Sequence, residues 1–104
     1  MKNITNIYDV LHILFDVLSD EYHEETTDGV CLHDTIRLTR DGSANAMYIG
    51  LDVDCPTVID AAVYEEPGGY HERDEWPIAD GIYWDTKDAN TTPESIAADI
   101  EKYF

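Results

Sequence analysis

Carboxylates are the residues of this chain best placed to do chemistry. Asp20, Glu21, Glu24, Glu25 and Asp28 fall in a run with no Lys or Arg, and Asp52, Asp54, Asp60, Glu65 and Glu66 fall in a second base-free run. On an extended strand, alternate side chains stand about 6.6–6.8 Å apart. That spacing is similar to the separation of neighbouring phosphates along a nucleic-acid strand. Ionised carboxylates in such a row can each take a charge-assisted hydrogen bond from Lys or Arg. The chemistry they offer is recognition of a basic surface.

Other reactive patterns are weak. Cys31, His33, Cys55 and His71 have zinc-binding side chains, but their spacing does not match a zinc finger. His33-Asp34 resembles the metal-binding dyad of a phosphohydrolase family of larger, helical proteins. Asp52-x-Asp54 lacks the remaining ligands of an EF-hand loop. Gly68-Gly69 is not followed by the lysine of a phosphate-binding loop. Ser19, Ser43 and Ser95 sit in a helix, a loop and a helix start, with no base positioned for a nucleophile. With so many acids, carboxylate pairs arise by chance and do not argue for acid–base catalysis. The sequence therefore predicts no enzyme, no cofactor and no metal.

The whole composition follows the same sign. Asp and Glu number 23 against 6 Lys and Arg, a formal net charge of −17 over 104 residues. A small domain stays soluble with a net charge of roughly 2–8 in magnitude, and excess charge weakens the compact state by self-repulsion. Direct binding to nucleic acid is excluded by the sign, whereas a basic, nucleic-acid-binding protein is a natural partner. A compact chain of this length should be about 33 Å across. Duplex DNA of that length carries about 19 phosphate charges, close to the net charge here.

These acids must be positioned by regular elements. Ile4, Ile7, Val10, Leu11, Leu14, Phe15, Leu18 and Tyr22 recur at helical spacing and predict an amphipathic helix from about residue 4 to about residue 23, with Asn3 or Thr5 as cap. Leu14 and Phe15 lie at the centre of its apolar stripe, and Asp9, Asp16 and Asp20 share its solvent face. Val30 to Arg40 and Ala46 to Val53 read as strands joined by the hairpin loop Asp41–Asn45. Thr57 to Glu66 forms a third strand, closed by Pro67-Gly68-Gly69, and Ile82-Tyr83-Trp84 a short fourth. If Ile49, Leu51 and Val53 face the core, Tyr48, Asp52 and Asp54 face away; Asp60, Tyr64 and Glu66 share a face in the same manner. Residues 70–77 read as a polar loop, with Trp76 and Trp84 anchoring chain to core. Thr91-Thr92-Pro93-Glu94 opens a last helix with Ile96, Ala97, Ile100, Tyr103 and Phe104 on its apolar face. The expected fold is a single acidic α+β domain over 1–104: an N-terminal amphipathic helix, a three- to four-stranded antiparallel sheet and a C-terminal helix, α-β-β-β-(β)-α.

The start of the chain lacks the apolar centre of a signal peptide, and no apolar run reaches the roughly 18 residues of a membrane span. A cytoplasmic protein is expected, monomeric or homodimeric, with Cys31 and Cys55 free or paired. The predicted contact surface comprises Asp20, Glu21, Glu24, Glu25, Asp28, Asp52, Asp54, Asp60, Glu65 and Glu66, with Tyr48 and Tyr64 among them, since tyrosine is enriched at binding hot spots.

Small size, clustered acids and no enzyme signature resemble the phage and mobile-element DNA-mimic inhibitors, a group that includes anti-CRISPR proteins, anti-restriction proteins and the uracil-DNA glycosylase inhibitor. The resemblance lies in composition and element order over the whole chain, and transfers no residue. It implies a stoichiometric inhibitor that fills the DNA-binding groove of its target, host-cell cytoplasm as its location, and a CRISPR effector, which holds DNA in a positively charged channel, as the favoured target. Two other classes share this surface physics: an immunity protein or antitoxin that neutralises a basic nuclease, and an acidic domain adapted to high salt.

Overall fold

The computed structural model describes residues 7–26, 35–52, 54–55, 57–69 and 75–104. The elements run α1 (Ile7–Phe15), β1 (Tyr22–Thr26), β2 (Thr35–Arg40), β3 (Asn45–Leu51), β4 (Val58–Glu65), β5 (Ala79–Asp85) and α2 (Pro93–Glu101). The five strands form one antiparallel meander in the order β1-β2-β3-β4-β5. This is an α+β fold, with both helices joining a single core.

Strand alternation builds that core. Ile36 and Leu38 lie opposite Ile49 and Met47, which lie opposite Ala61 and Val63. All six are buried, along with Ile59 and Trp84. Val10, Leu14 and Leu18 from the first segment and Ile96, Ala97 and Ile100 from α2 close over the same side. Trp84 fixes α2 to the sheet by donating its Nε1–H to Asp99 Oδ2 at 3.0 Å. That bond, with Lys102 beside it, holds the Asp99 carboxyl below its usual range. Capping places α2 as expected. The Thr92 side chain accepts from the Ser95 backbone N–H, the Ser95 hydroxyl accepts from the Thr92 N–H, and Pro93 occupies the first turn.

The first helix is shorter than its sequence pattern. It ends at Phe15; Leu18 N–H still bonds to Leu14 O, but Ser19–Glu21 turn the chain and Tyr22 begins β1. Leu14, Leu18 and Tyr22 keep the four-residue spacing and all bury. Leu14 arrives on a helix, Leu18 on a turn and Tyr22 on a strand. Pairing Tyr22–Thr26 with Arg40–Ile36 supplies backbone hydrogen bonds and a fifth strand, which an uninterrupted helix would have forgone. Leu14 is 2% exposed, whereas Phe15 is only half-buried against the core.

The β2–β3 hairpin turns through Asp41–Ala44, where Gly42 has φ +81° and Ser43 N–H bonds to Arg40 O. The left-handed backbone there favours glycine. Asp52 shapes the β3–β4 turn, its Oδ1 accepting from the N–H groups of Asp54 and Cys55. The expected caps Asn3 and Thr5, the strand start Val30–Asp34, Val53 and the loop residues 70–74 lie outside the described residues.

Candidate protein-interaction surface

The helix-free face of the sheet carries His23 and Glu25 from β1, Arg37 from β2, Tyr48 from β3, Asp60 and Tyr64 from β4, and Tyr83 from β5, as the register requires. Tyr48 and Tyr64 meet edge to face, with ring centroids 5.5 Å apart. Both face away from the core, as their strand positions dictate, and both are half-buried.

Glu66 does not belong to an exposed acidic row. It is 4% exposed, and its Oε1 accepts from Arg37 Nε at 2.9 Å and Nη2 at 2.7 Å. Its Oε2 accepts from the Tyr48 hydroxyl at 2.7 Å. Arg37 also donates to Gly69 O. The second acidic run therefore contains an internal counter-ion, because Glu66 follows the end of β4 and its backbone N–H turns back to Ala44 O. Burial alone would lower the Arg37 pKa, but the Glu66 carboxylate outweighs it and raises it. Burial, reinforced by the same carboxylate, pushes the Tyr48 hydroxyl up to about 12. Tyr48 is thus a member of a closed polar cluster, and its hydroxyl is not a free contact group.

The remaining acids divide by location. Asp20 and Glu21 are exposed in the turn before β1, with Glu21 accepting from Arg40 at 3.0 Å. The Arg40 guanidinium lies 5.5 Å from the centroid of the Tyr22 ring. Tyr22 itself meets Phe104 edge to face, and burial raises its pKa. Glu24 and Glu25 are exposed on β1; Glu25 approaches Arg37 at 3.5 Å. Asp54 is exposed, while Asp52 is half-buried and engaged in its turn. Asp60 and Glu65 are exposed on β4. Asp28 lies outside the described residues.

Neighbours in sequence are not neighbours in space here. Val58 and Glu65 bound the eight-residue β4, so roughly 24 Å of strand separates the Asp52–Asp54 turn from Glu65. The acids instead gather at the two ends of the sheet and along β1. Asp20, Glu21, Asp41 and Glu65 lie toward one end, and Asp52, Asp54 and Asp85 toward the other. An open groove of about 530 Å³ follows the β1 side, lined by His12, Phe15, Asp16, Tyr22, His23 and Glu24. The molecule measures 37 × 29 × 21 Å; its long dimension is near the span expected from length.

Of the residues that could take a metal, Cys55 is exposed with a free thiol, and Cys31, His33, Asp34 and His71 lie outside the described residues. No group of three or more His, Cys, Asp or Glu side chains is arranged to hold a metal ion among the described residues. No helix among them is long and apolar enough to cross a membrane.

One surface was not legible as such in the sequence. Trp84 is buried as expected, but Trp76 is 88% exposed, and Ile78 and Tyr83, further along the same segment, are exposed as well. Trp76 therefore does not anchor its loop to the core. A tryptophan next to Pro77 in a polar segment carries no local mark of which side it takes. The chain matches no protein-family model, no curated protein and no solved structure.

Proposed function

We propose that this protein is a stoichiometric inhibitor that presents carboxylates in place of DNA phosphates and occupies the basic nucleic-acid-binding groove of a CRISPR effector or another DNA-binding enzyme. It acts without catalysis or cofactor, as a monomer or homodimer in the cytoplasm where that enzyme works. The observation that carries this reading is how the charges are distributed. Of the four described Lys and Arg residues, Arg37, Arg40 and Lys102 are each held by an acid of the same chain, Glu66, Glu21 and Asp99, and Lys87 is exposed. Asp16, Asp20, Glu24, Asp54 and Glu65 meanwhile face solvent. The outward field is strongly negative, and such a field steers a basic partner and accelerates association.

The experiment is displacement. A purified guide-loaded CRISPR effector is incubated with labelled target duplex while the protein is titrated in. Release of duplex at about one protein per effector supports the proposal. Full retention of duplex at a large molar excess, on this and on other basic DNA-binding nucleases, overturns it.

A further inference from the structure

We propose that the β5 edge is the anchoring site for an arginine-bearing segment of the partner protein, laid along the strand so that Trp76 and Tyr83 each receive a separate guanidinium. The proposal rests on the basic partner inferred above and names the surface that grips it. The large hydrophobic residues that stand exposed among the described residues are Trp76 (88%), Ile78 (57%) and Tyr83 (68%). All three fall on β5 or the segment leading into it. Single exposed apolar side chains are ordinary, whereas three large ones, two of them aromatic, strung along one edge offer a row of ring faces to a partner.

The surroundings select the occupant. Between Glu75 and Thr86 every charged residue is acidic, namely Glu75, Asp80 and Asp85, and all three are exposed. A second copy of this chain would bring these acids against one another. An arginine segment satisfies both features, because its planar guanidinium stacks on aromatic faces and pairs with carboxylates through a fork of N–H groups. Lysine, a compact and strongly hydrated ammonium, serves the stacking part poorly.

The strand geometry keeps the edge from being a template for indiscriminate pairing. Ala61 pairs with Ile82 and Val63 with Ala79, so β5 carries one extra residue opposite Ala62, and Gly81 takes φ +67° there. Such a bulge bends and twists an edge strand and blunts edge-to-edge aggregation. Recognition therefore falls to the side chains that β5 presents.

The test uses the intact protein and a decapeptide of alternating Arg and Val, with Lys-for-Arg and Asp-for-Arg counterparts. Binding is read by Trp fluorescence and by backbone amide shifts. The Arg peptide should perturb Trp76 and the amides of Ile78–Asp85, the Lys peptide should bind several-fold more weakly, and the Asp peptide should not bind. Trp76→Ala/Tyr83→Ala should weaken the Arg peptide at least about tenfold with thermal unfolding unchanged, and Asp80→Asn/Asp85→Asn should weaken it without touching the aromatic residues. Equal perturbation of β1 by the Arg peptide, with no loss in either double variant, overturns the proposal. So does self-association in sedimentation that Trp76→Ala/Tyr83→Ala abolishes, because the edge would then belong to a second copy. Peptide binding at β5 without duplex displacement would leave this site standing and remove the inhibitor reading. Displacement that survives both double variants would remove this site alone.

Discussion

Arg37 and Glu66, separated by 29 residues in sequence, form a two-point contact on the helix-free face of the sheet, with Nε and Nη2 both donating to the same carboxylate oxygen. The Glu66 side chain is 1% exposed and the Arg37 side chain 19%. A carboxylate in so strongly acidic a chain would be repelled by its neighbours if it were also buried without a cation. The pair resolves that conflict, and the Tyr48 hydroxyl supplies the other oxygen with a donor.

Removing the cation should therefore be severe. Arg37→Ala is expected to destabilise the protein by about 3–5 kcal/mol, the usual cost of breaking a buried ion pair. Replacing the set by apolar residues, Arg37→Met/Tyr48→Phe/Glu66→Leu, should restore most of that loss. Urea denaturation checks both. A cost below about 1 kcal/mol for Arg37→Ala would mean that Glu66 is satisfied in another way.

Tyr48 gives the fold an alkaline limit. Its folded pKa, about 12, lies above the ordinary tyrosine value near 10, so the neutral hydroxyl is favoured by folding. The resulting stability is fully present below about pH 10 and is lost as pH rises from there through the folded value. Ultraviolet titration should show late-ionising tyrosine, and Tyr48→Phe should shrink that phase, leaving the part due to Tyr22, and flatten the loss of stability in the same window. Late titration that persists unchanged in Tyr48→Phe would contradict the assignment.

The short helix α1 makes an asymmetric prediction for two adjacent residues. Leu14→Ala should cost about 2–5 kcal/mol, the range for a buried leucine. Phe15→Ala should cost clearly less, because Phe15 stays half-buried. Calorimetric unfolding of the two variants decides this, and equal costs would mean that the helix is rotated relative to the sheet.

Much of this architecture is local, and local features are legible in sequence. Thr92-Pro93 marks the start of α2, and the alternation through Met47, Ile49 and Leu51 marks β3. The loop at Asp41-Gly42 marks a hairpin. Strand β1 escaped because Leu14, Leu18 and Tyr22 satisfy a helical period and a turn-plus-strand path equally well. Its other residues, His23, Glu24 and Glu25, are exposed on a sheet edge and so carry no apolar alternation. The site was legible only as charge. Glu25, Asp54 and Asp60 face solvent, as strand and turn positions imply, whereas Glu24 and Glu65 share the core-side face and are exposed because one lies on an edge strand and the other at a strand end. The loss of Glu66 to Arg37 depends on a contact between β2 and the end of β4 that no spacing encodes. The exposed Trp76 likewise depends on where its segment runs.

The central claim is that exposed carboxylates, and not the fold beneath them, hold a basic partner. The most direct measurement compares the salt dependence of duplex displacement from the guide-loaded effector for the native protein and for Glu24→Gln/Glu25→Gln/Asp52→Asn/Asp54→Asn. Each amide keeps an acceptor oxygen, including the one that Asp52 uses in its turn, so the variant should melt like the native protein. Single exposed acids contribute only about 0–1 kcal/mol each, which is why three of them are changed together with the half-buried Asp52. The account predicts displacement weakened by orders of magnitude at low salt and a much shallower slope against log salt concentration. A folded variant that displaces duplex as well as the native protein, with the same slope, would contradict it.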